Sequence, residues 1–289
     1  MTFIKSIKKD GSNVVVYNCP EATNEILISD GTTCQIAFLD VETTGLIHNE
    51  DEIVELALKV LLIEKRTGLI ISVISEFESF NEPGKSIDNK ITILTGINSK
   101  MVSGKKINWS IVNKYLEDVD LIISHNASFD RPFVDAHSEV SQSKLWACSI
   151  KDIDWLARGF SNVKQELLCF WHGFYFEAHR AMNDVSALIH LLTHPSYITE
   201  RPLLELMDNS EKESFNIWVT NFPFNASKKD KIKSEGYNWN VQKKLWFKVV
   251  PLESIEEEKL FLIDLIYLDS FRGVIEKVDP LSKYKYIVS

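Results

Sequence analysis

The feature that most limits the possible folds is a pair of short, continuous apolar runs that end in polar residues. One is CQIAFLD (34–40), and the other is LIISHNAS (121–128). Continuous apolar runs of this length are typical of strands that are buried on both faces. Helical patterns alternate with these runs, so we expect an α/β chain with a mixed sheet flanked by helices.

The segments around these runs supply the remaining elements of that sheet. EIVELALKVLLIEKRTG and LIISVISEF predict two more strands around a turn at Thr67-Gly68. Helices are predicted in NWSIVNKYLEDVD, FDRPFVDAHSEV, KDIDWLARGF, KQELLCFWHGF and MNDVSALIHLLTH. Pro132 falls in the first turn of the second of these helices, where proline is tolerated.

Changes in composition divide the chain into three predicted parts. Residues 1–33 form a β extension around an Asp10-Gly11 turn, and residues 34–197 form the main domain. Residues 198–289 are expected to contain a helical segment and a small basic α+β module. Residues 221–250 contain seven lysines and two acids, a local net charge of +5, whereas the formal net charge of the whole chain is −9.

Bulk composition narrows the class of protein. A chain of 289 residues with 45% hydrophobic content can bury one sizeable core and a smaller one. The acidic balance argues against an extended basic surface for duplex binding. No signal peptide, spanning apolar run or zinc-type spacing of the four cysteines is present in the sequence. We therefore expect a soluble, reduced, cytoplasmic protein without a membrane partner.

Three acidic motifs carry the candidate chemistry. Asp40 and Glu42 are two residues apart at a strand end, which points both carboxylates to one face. Asp130 follows the second apolar run, and Asp184 lies on the inward stripe of a predicted helix, five residues after His179. Hard divalent cations prefer such oxygen ligands. Taken singly, each motif has an ordinary alternative as a solvated strand-end acid or a helix cap.

Together the motifs resemble a known family. FLDVETTGL, HNASFD and AHRAMND resemble the three exonuclease motifs of the DnaQ-like DEDDh superfamily, which includes polymerase proofreading subunits, ribonuclease T and oligoribonuclease. ILTGINSKMV is similar to the linking region of that family, and the resemblance covers about residues 34–195. It implies a ribonuclease-H-like sheet, in agreement with the predicted order of strands and helices.

The resemblance also implies a mechanism and a set of site residues. Two divalent ions, Mg²⁺ or Mn²⁺, would be held by the four acids, with Asp40 bridging both ions. Glu42 and Asp184 would complete one ion site, Asp130 would support the other, and His179 would act as general base. Residues expected to hold or shape the 3′-terminal nucleotide are Thr43, Thr44, Leu46, Asn126 and Phe129.

The lysine-rich stretch suggests a second contact with nucleic acid. PFNASKKDKIKSEGYNWNVQKKLWFKV predicts a helix followed by a small hairpin. Aromatic residues interleaved with lysines are typical of single-strand binding. The candidate residues for this grip are Lys228, Lys229, Lys231, Lys233, Trp239 and Trp246. The alternative is a small aromatic core with solvated lysines outside it.

The sequence favours a metal-dependent 3′–5′ exonuclease that acts on a nucleic acid with a 3′ end, with DNA slightly preferred. An RNA-trimming or oligonucleotide exoribonuclease is the second interpretation. A non-catalytic nucleic-acid-binding scaffold is the third, and the intact acids and histidine count against it. No feature of the sequence predicts a protein partner.

Overall fold

The computed structural model describes residues 8–10, 13–22, 31–241 and 243–285. The chain forms two compact units, 1–210 and 211–289. Within the described residues, no helix is both long and apolar enough to cross a bilayer.

The N-terminal segment contributes three short strands, β1 (Lys8–Asp10), β2 (Asn13–Val15) and β3 (Tyr17–Asn18). β1 and β2 are antiparallel, although Gly11 of the predicted turn lies outside the described residues. β3 pairs in parallel with Phe174–Tyr175, and the Tyr17 hydroxyl lies 2.8 Å from the Nε2 atoms of both His190 and His194. The described part of this extension is therefore built into the first unit.

A five-stranded sheet forms the centre of the first unit. Its strands are β4 (Thr33–Thr43), β5 (Ile53–Glu64), β6 (Ile70–Phe80), β7 (Leu121–Ser124) and β8 (Leu145–Cys148). The order is β6-β5-β4-β7-β8, antiparallel from β6 to β4 and parallel from β4 to β8. The predicted mixed α/β sheet is confirmed, and Gly68 occupies the predicted β5–β6 turn with a positive φ of 68°.

Helices of the first unit connect and cover this sheet. They are α1 (Asn89–Thr95), α2 (Ser99–Val102), α3 (Trp109–Leu116), α4 (Ala127–Asp135), α5 (Glu139–Gln142), α6 (Gln165–Trp171), α7 (Ala181–Leu192) and α8 (Pro202–Glu211), with β9 (Phe174–Tyr175) between α6 and α7. α7 packs across β4 and β5. Its buried Val185 and Leu188 join Phe38 and Leu61 in one hydrophobic core. This packing brings α7 to the strand that carries Asp40.

Pro132 lies inside α4 rather than in its first turn as predicted, because the helix already begins at Ala127. One predicted helix is absent. KDIDWLARGF (151–160) forms consecutive turns instead. Asp152 accepts a hydrogen bond from the Cys148 backbone N–H at 2.8 Å, and the Trp155 indole N–H donates to the Ser149 carbonyl at 2.6 Å. These side-chain bonds to the backbone compete with helical hydrogen bonds, and the segment ends at Gly159 with φ of 93°.

The two units divide between Ser210 and Glu211, later than the predicted boundary at residue 197. The reason is that α8 is bonded to the first unit. Glu205 forms an ion pair with Arg158 at 2.6 Å and accepts a hydrogen bond from the Asp154 backbone N–H at 2.6 Å.

The second unit, 211–289, has its own sheet and core. Its elements are β10 (Ser214–Val219), α9 (Ala226–Ser234), β11 (Asn238–Asn240), β12 (Leu245–Pro251), α10 (Ile255–Phe261) and β13 (Val274–Val278). The antiparallel order is β11-β12-β10-β13, and Ile232, Trp246 and Leu262 lie in its core. The predicted lysine-rich helix and hairpin are present as α9 and β11–β12. Residues 211–289 contain 13 Lys and Arg and 12 Asp and Glu, a net charge of +1, so the excess of positive charge lies in 221–250, where the net charge is +5.

Candidate active site

The end of β4 presents two carboxylates on one face of the sheet. Asp40 and Glu42 are two residues apart on the strand and are both partly buried. Glu42 lies opposite Glu55 of β5, and the pairing becomes irregular directly after it, between Glu42 and Thr43. A bulge at this position ends regular pairing and directs the following loop away from the sheet.

A third carboxylate comes from α7. Asp184 lies in the first turn of that helix, and the residues on its stripe, Ala187, Leu188 and Leu191, are buried as the helical spacing predicted. Ligand oxygens of Asp40, Glu42 and Asp184 all lie within 4.8 Å of one another. Three carboxylates at this separation form a donor set that suits a hard divalent cation.

Asp130 approaches the same strand but is not a member of this three-carboxylate cluster. Its side chain is buried in α4, and Oδ1 accepts a hydrogen bond from the Val41 backbone N–H at 3.2 Å. Val41 lies between Asp40 and Glu42, so this hydrogen bond stabilises the segment that carries both acids. Its charge still raises the pKa of Asp40.

Burial and mutual repulsion raise the pKa values of all four acids. Burial, followed by the charges of Asp130, Asp184 and Glu42, holds the pKa of Asp40 well above its ordinary value. Burial and the neighbouring carboxylates raise the pKa of Glu42 to about 8. Burial raises the pKa of Asp130 to about 8 and that of Asp184 to about 7, against backbone hydrogen bonds that lower both. A bound cation would remove this repulsion.

His179 precedes α7 in a left-handed backbone conformation, with φ of 66°. That conformation is uncommon for a residue with a side chain, and such residues cluster at functional sites. The backbone N–H of Arg180 donates to Asp184 Oδ2 at 3.1 Å, and a backbone hydrogen bond from His179 also lowers the Asp184 pKa. The turn that carries His179 is therefore bonded to Asp184, which is one of the clustered acids.

Two residues of this site were missed by sequence reasoning. Glu55 of β5 is fully buried, and its carboxylate accepts hydrogen bonds from Arg180 Nη2 at 2.8 Å and from the Ala181 backbone N–H at 3.0 Å. The pair anchors the start of α7 to the sheet. A glutamate within the mostly apolar run IVELALKVLL, whose other charged residue is Lys59, was the available signal, because a charged residue is rarely buried without a partner.

Comparison with known proteins agrees with this geometry. The model of the RNase_T family, described as Exonuclease, matches residues 37–192. The chain belongs to the RNase_T exonuclease family. The predicted resemblance to an exonuclease family is confirmed.

The relatives that this chain matches include much longer proteins, of which it aligns with one segment. The chain is 31% identical over 190 residues to the DNA polymerase III PolC-type protein of Listeria monocytogenes, covering 62% of this chain and 12% of that protein. It is 28% identical over 193 residues to the PolC-type protein of Clostridium perfringens, covering 64% of this chain and 13% of that protein. The matches therefore span about an eighth of the length of these relatives.

Solved structures that match part of this chain include Exonuclease X in complex with 5′-overhanging duplex DNA. It is 21% identical, with a TM-score of 0.43, and the alignment covers 60% of this chain and 98% of that chain. A full-length 3′-exonuclease is 16% identical, with a TM-score of 0.44, and the alignment covers 59% of this chain and 62% of that chain.

The predicted substrate-contacting residues lie in two segments next to the acids in sequence, the end of β4 with the loop after it and the start of α4. The Thr44 hydroxyl accepts a hydrogen bond from the Glu52 backbone N–H at 3.0 Å and thereby closes the loop after β4. Leu46, in that loop, is 83% exposed. Asn126 precedes α4 and makes no side-chain capping bond, while Phe129 packs on Phe133 at 5.2 Å. Thr43 is buried, and its hydroxyl donates to the Gly45 carbonyl.

The predicted gripping residues all belong to the second unit, and the structure separates them. Lys229, Lys233, Trp239 and Trp246 line one groove. Lys228 instead donates to the Ile266 carbonyl at 2.5 Å. Lys231 lies elsewhere on α9 and is exposed. Four lysines within six residues of a helix cannot all face the same ligand, because the helix turns every 3.6 residues.

Proposed function

We propose that this exonuclease removes nucleotides from the 3′ end of a nucleic acid by metal-dependent hydrolysis. Convergence of Asp40, Glu42 and Asp184 within 4.8 Å, in a chain that belongs to an exonuclease family, carries this proposal. Water attacks the terminal phosphodiester, the P–O bond to the preceding 3′ oxygen breaks, and a nucleoside 5′-monophosphate leaves. The shortened strand keeps a free 3′ hydroxyl for the next cycle.

The acids are assigned to two divalent ions, Mg²⁺ or Mn²⁺. Asp40, Glu42 and Asp184 would hold one ion, and Asp40 with Asp130 would hold the second. Bound ions of this kind stabilise the negative charge that develops around the scissile phosphate. The raised pKa values support the assignment, because four buried acids need compensating positive charge to ionise together.

His179 is assigned as the general base. An imidazole accepts a proton near neutral pH, which the attacking water must lose. The backbone hydrogen bonds of residues 179 and 180 to the Asp184 carboxylate support this assignment, because they tie the turn that carries His179 to one of the acids. The left-handed backbone conformation of His179 is sterically unfavourable, and a catalytic role of its side chain would account for it.

DNA is the substrate that we favour over RNA. The relatives that this chain matches are named as DNA polymerases, which supports a deoxyribose substrate here. Thr43, Thr44, Leu46, Asn126 and Phe129 lie next to the acids in sequence and are assigned to the terminal nucleotide. Leu46, with 83% of its side chain exposed, is available to pack against an unpaired terminal base.

End-labelled strands test the proposal directly. With Mg²⁺ or Mn²⁺, a 3′-labelled DNA strand should release labelled mononucleotide in the first cycle. A 5′-labelled strand should shorten in single-nucleotide steps, and the matching RNA strand should react more slowly. Early release of a 5′ label, or internal fragments, would refute the assigned polarity. Faster cleavage of RNA would reverse the substrate preference.

A further inference from the structure

A groove in the second unit combines basic and aromatic side chains. Its volume is about 590 Å³, and it lies between α9, the β11–β12 hairpin and the segment after β10. The lining contains four aromatic residues and three lysines and no acid. In a chain with a net charge of −9, this local composition is unusual.

The aromatic side of the groove offers exposed ring faces. Trp246 is 6% exposed and belongs to the core of the unit. Trp239 packs edge-on against it at 5.4 Å and remains 47% exposed, while Phe224 is 78% exposed. Contiguous exposed apolar surface rimmed by polar residues marks interaction sites, and unpaired bases stack on exposed aromatic rings.

The basic side consists of Lys229, Lys233 and Lys244. Lys229 and Lys233 are four residues apart and therefore lie on the same face of α9. None of the three has an ion-pair partner in the described part of the chain. Other lysines of the unit are engaged: Lys243 lies 3.9 Å from the Trp218 ring, and Lys248 pairs with Glu258.

Backbone conformation gives independent support for Lys244. Its φ is 52°, in the left-handed region that glycine adopts without steric cost. A glycine would suit the turn between β11 and β12 better, but it would not place a charge at the groove. Asn221, which also lines the groove, has a positive φ of 51°.

We propose that this groove binds a single strand of nucleic acid. A base stacks on Trp239 or Phe224, and backbone phosphates contact Lys229, Lys233 and Lys244. Single strands fit better than duplexes, because stacking on these rings requires an unpaired base and three lysines neutralise only a short stretch of backbone. The inference rests on the proposed function in that both concern nucleic acid, but it assigns a separate binding site.

Equilibrium binding of the full chain to a fluorescent oligothymidylate, in chelator, tests the groove without hydrolysis. Lys229→Ala, Lys233→Ala and Lys244→Ala should each weaken binding several-fold and lower the log–log salt slope by about 0.7. Lys231→Ala is the matched control, since it removes the same charge from the same helix outside the groove, and its affinity should equal that of the wild type.

Substitution of Trp239 is the second part of the binding experiment. Trp239→Ala should weaken binding about 5- to 100-fold, and Trp239→Phe should retain most of the affinity because a stacking face remains. Circular dichroism and thermal melting check that each variant is folded. Wild-type affinity of folded Trp239→Ala, or equal losses for Lys231→Ala and Lys229→Ala, would overturn the proposal. Tighter binding of a closed duplex than of the single strand would also overturn it.

The experiments distinguish failure of the proposed groove from failure of the proposed exonuclease reaction. If the wild type hydrolyses strands while all groove variants bind normally, only the groove proposal is lost. If groove variants lose affinity while the wild type releases no nucleotide, the groove stands and the assigned reaction is wrong.

Discussion

At the scale of single residues, the acidic cluster is a source of instability that metal ions would relieve. The Glu42 carboxyl has a pKa of about 8, compared with an ordinary value of 4.5. In the folded protein it therefore retains its proton to a higher pH than in the unfolded chain. Ionisation between these two values costs folding free energy, and the cost is complete above the higher value.

Replacement of Glu42 by glutamine should remove that cost. In the presence of chelator at around pH 9, Glu42→Gln should have a higher melting temperature than the wild type. The increase should be about 2–4 °C for each kcal/mol of repulsion removed. At around pH 4, where the folded and unfolded chains both keep the proton, the two proteins should unfold at similar temperatures. Thermal melting at the two pH values measures the difference. A wild type that is as stable as the variant at high pH would contradict the repulsion.

His179 allows a second test at this scale. If it takes the proton from water, His179→Ala should lose about 10²–10⁴-fold in rate while its metal and substrate affinities stay unchanged. His137→Ala is a matched control, because the His137 ring stacks on Trp109 with ring centroids 4.9 Å apart and has no assigned role in the reaction. Initial rates at saturating metal measure the effect. A rate restored fully by more metal would assign His179 to ion binding instead.

At the scale of elements, the position of α7 depends on an ion pair between the buried Glu55 carboxylate and the partly exposed Arg180 guanidinium. Glu55 of β5 holds Arg180 and the first N–H of the helix. Arg180→Ala leaves a buried carboxylate without its main partner, which should cost about 2 kcal/mol in unfolding free energy. The rate should also fall, because α7 carries Asp184 and follows His179.

The double variant Glu55→Gln/Arg180→Ala separates stability from activity. Removing the buried charge together with its partner should recover part of the lost unfolding free energy, since neighbouring substitutions are not additive. The rate should stay low, because the helix start is still not anchored. Denaturant unfolding and initial rates provide both readouts. Additive losses of stability would show that the two side chains do not act as a pair.

Sequence reasoning was most successful where one physical rule governed an element. Apolar runs located β4, β5 and β7, and helical spacing placed Asp184 on the buried stripe of α7. It was wrong for residues 151–160, where side-chain bonds to the backbone outweigh helical periodicity. The Glu55–Arg180 pair joins residues 125 positions apart, which a local pattern does not reveal.

In the candidate site, too, local sequence patterns were predictable and contacts that depend on packing were not. Spacing and motif order brought Asp40, Glu42 and Asp184 together correctly. They did not show that Asp130 would bond to the Val41 N–H, because that contact depends on how α4 packs on β4. The four lysines of α9 were grouped by composition, although helical periodicity already separated Lys231 from Lys229 and Lys233.

At the scale of the whole molecule, the two units differ in charge and in relationship to known proteins. The family match ends at residue 192, before the second unit begins at residue 211. The acids of the site lie in the first unit, and the basic stretch of 221–250 lies in the second. The reaction is therefore expected to depend on the first unit, with the second contributing to affinity for longer strands.

The central claim is that the carboxylates at the end of β4 form the hydrolytic centre. Initial rates of nucleotide release from a 3′-labelled DNA strand, measured with Mg²⁺ or Mn²⁺, test it most directly. Asp40→Asn should lose at least about 1,000-fold, or roughly 4 kcal/mol of transition-state stabilisation, and chelator should abolish wild-type release. Asp118→Asn, which neutralises an exposed acid elsewhere in the chain, should retain the wild-type rate. Comparable release by Asp40→Asn and the wild type would contradict the claim.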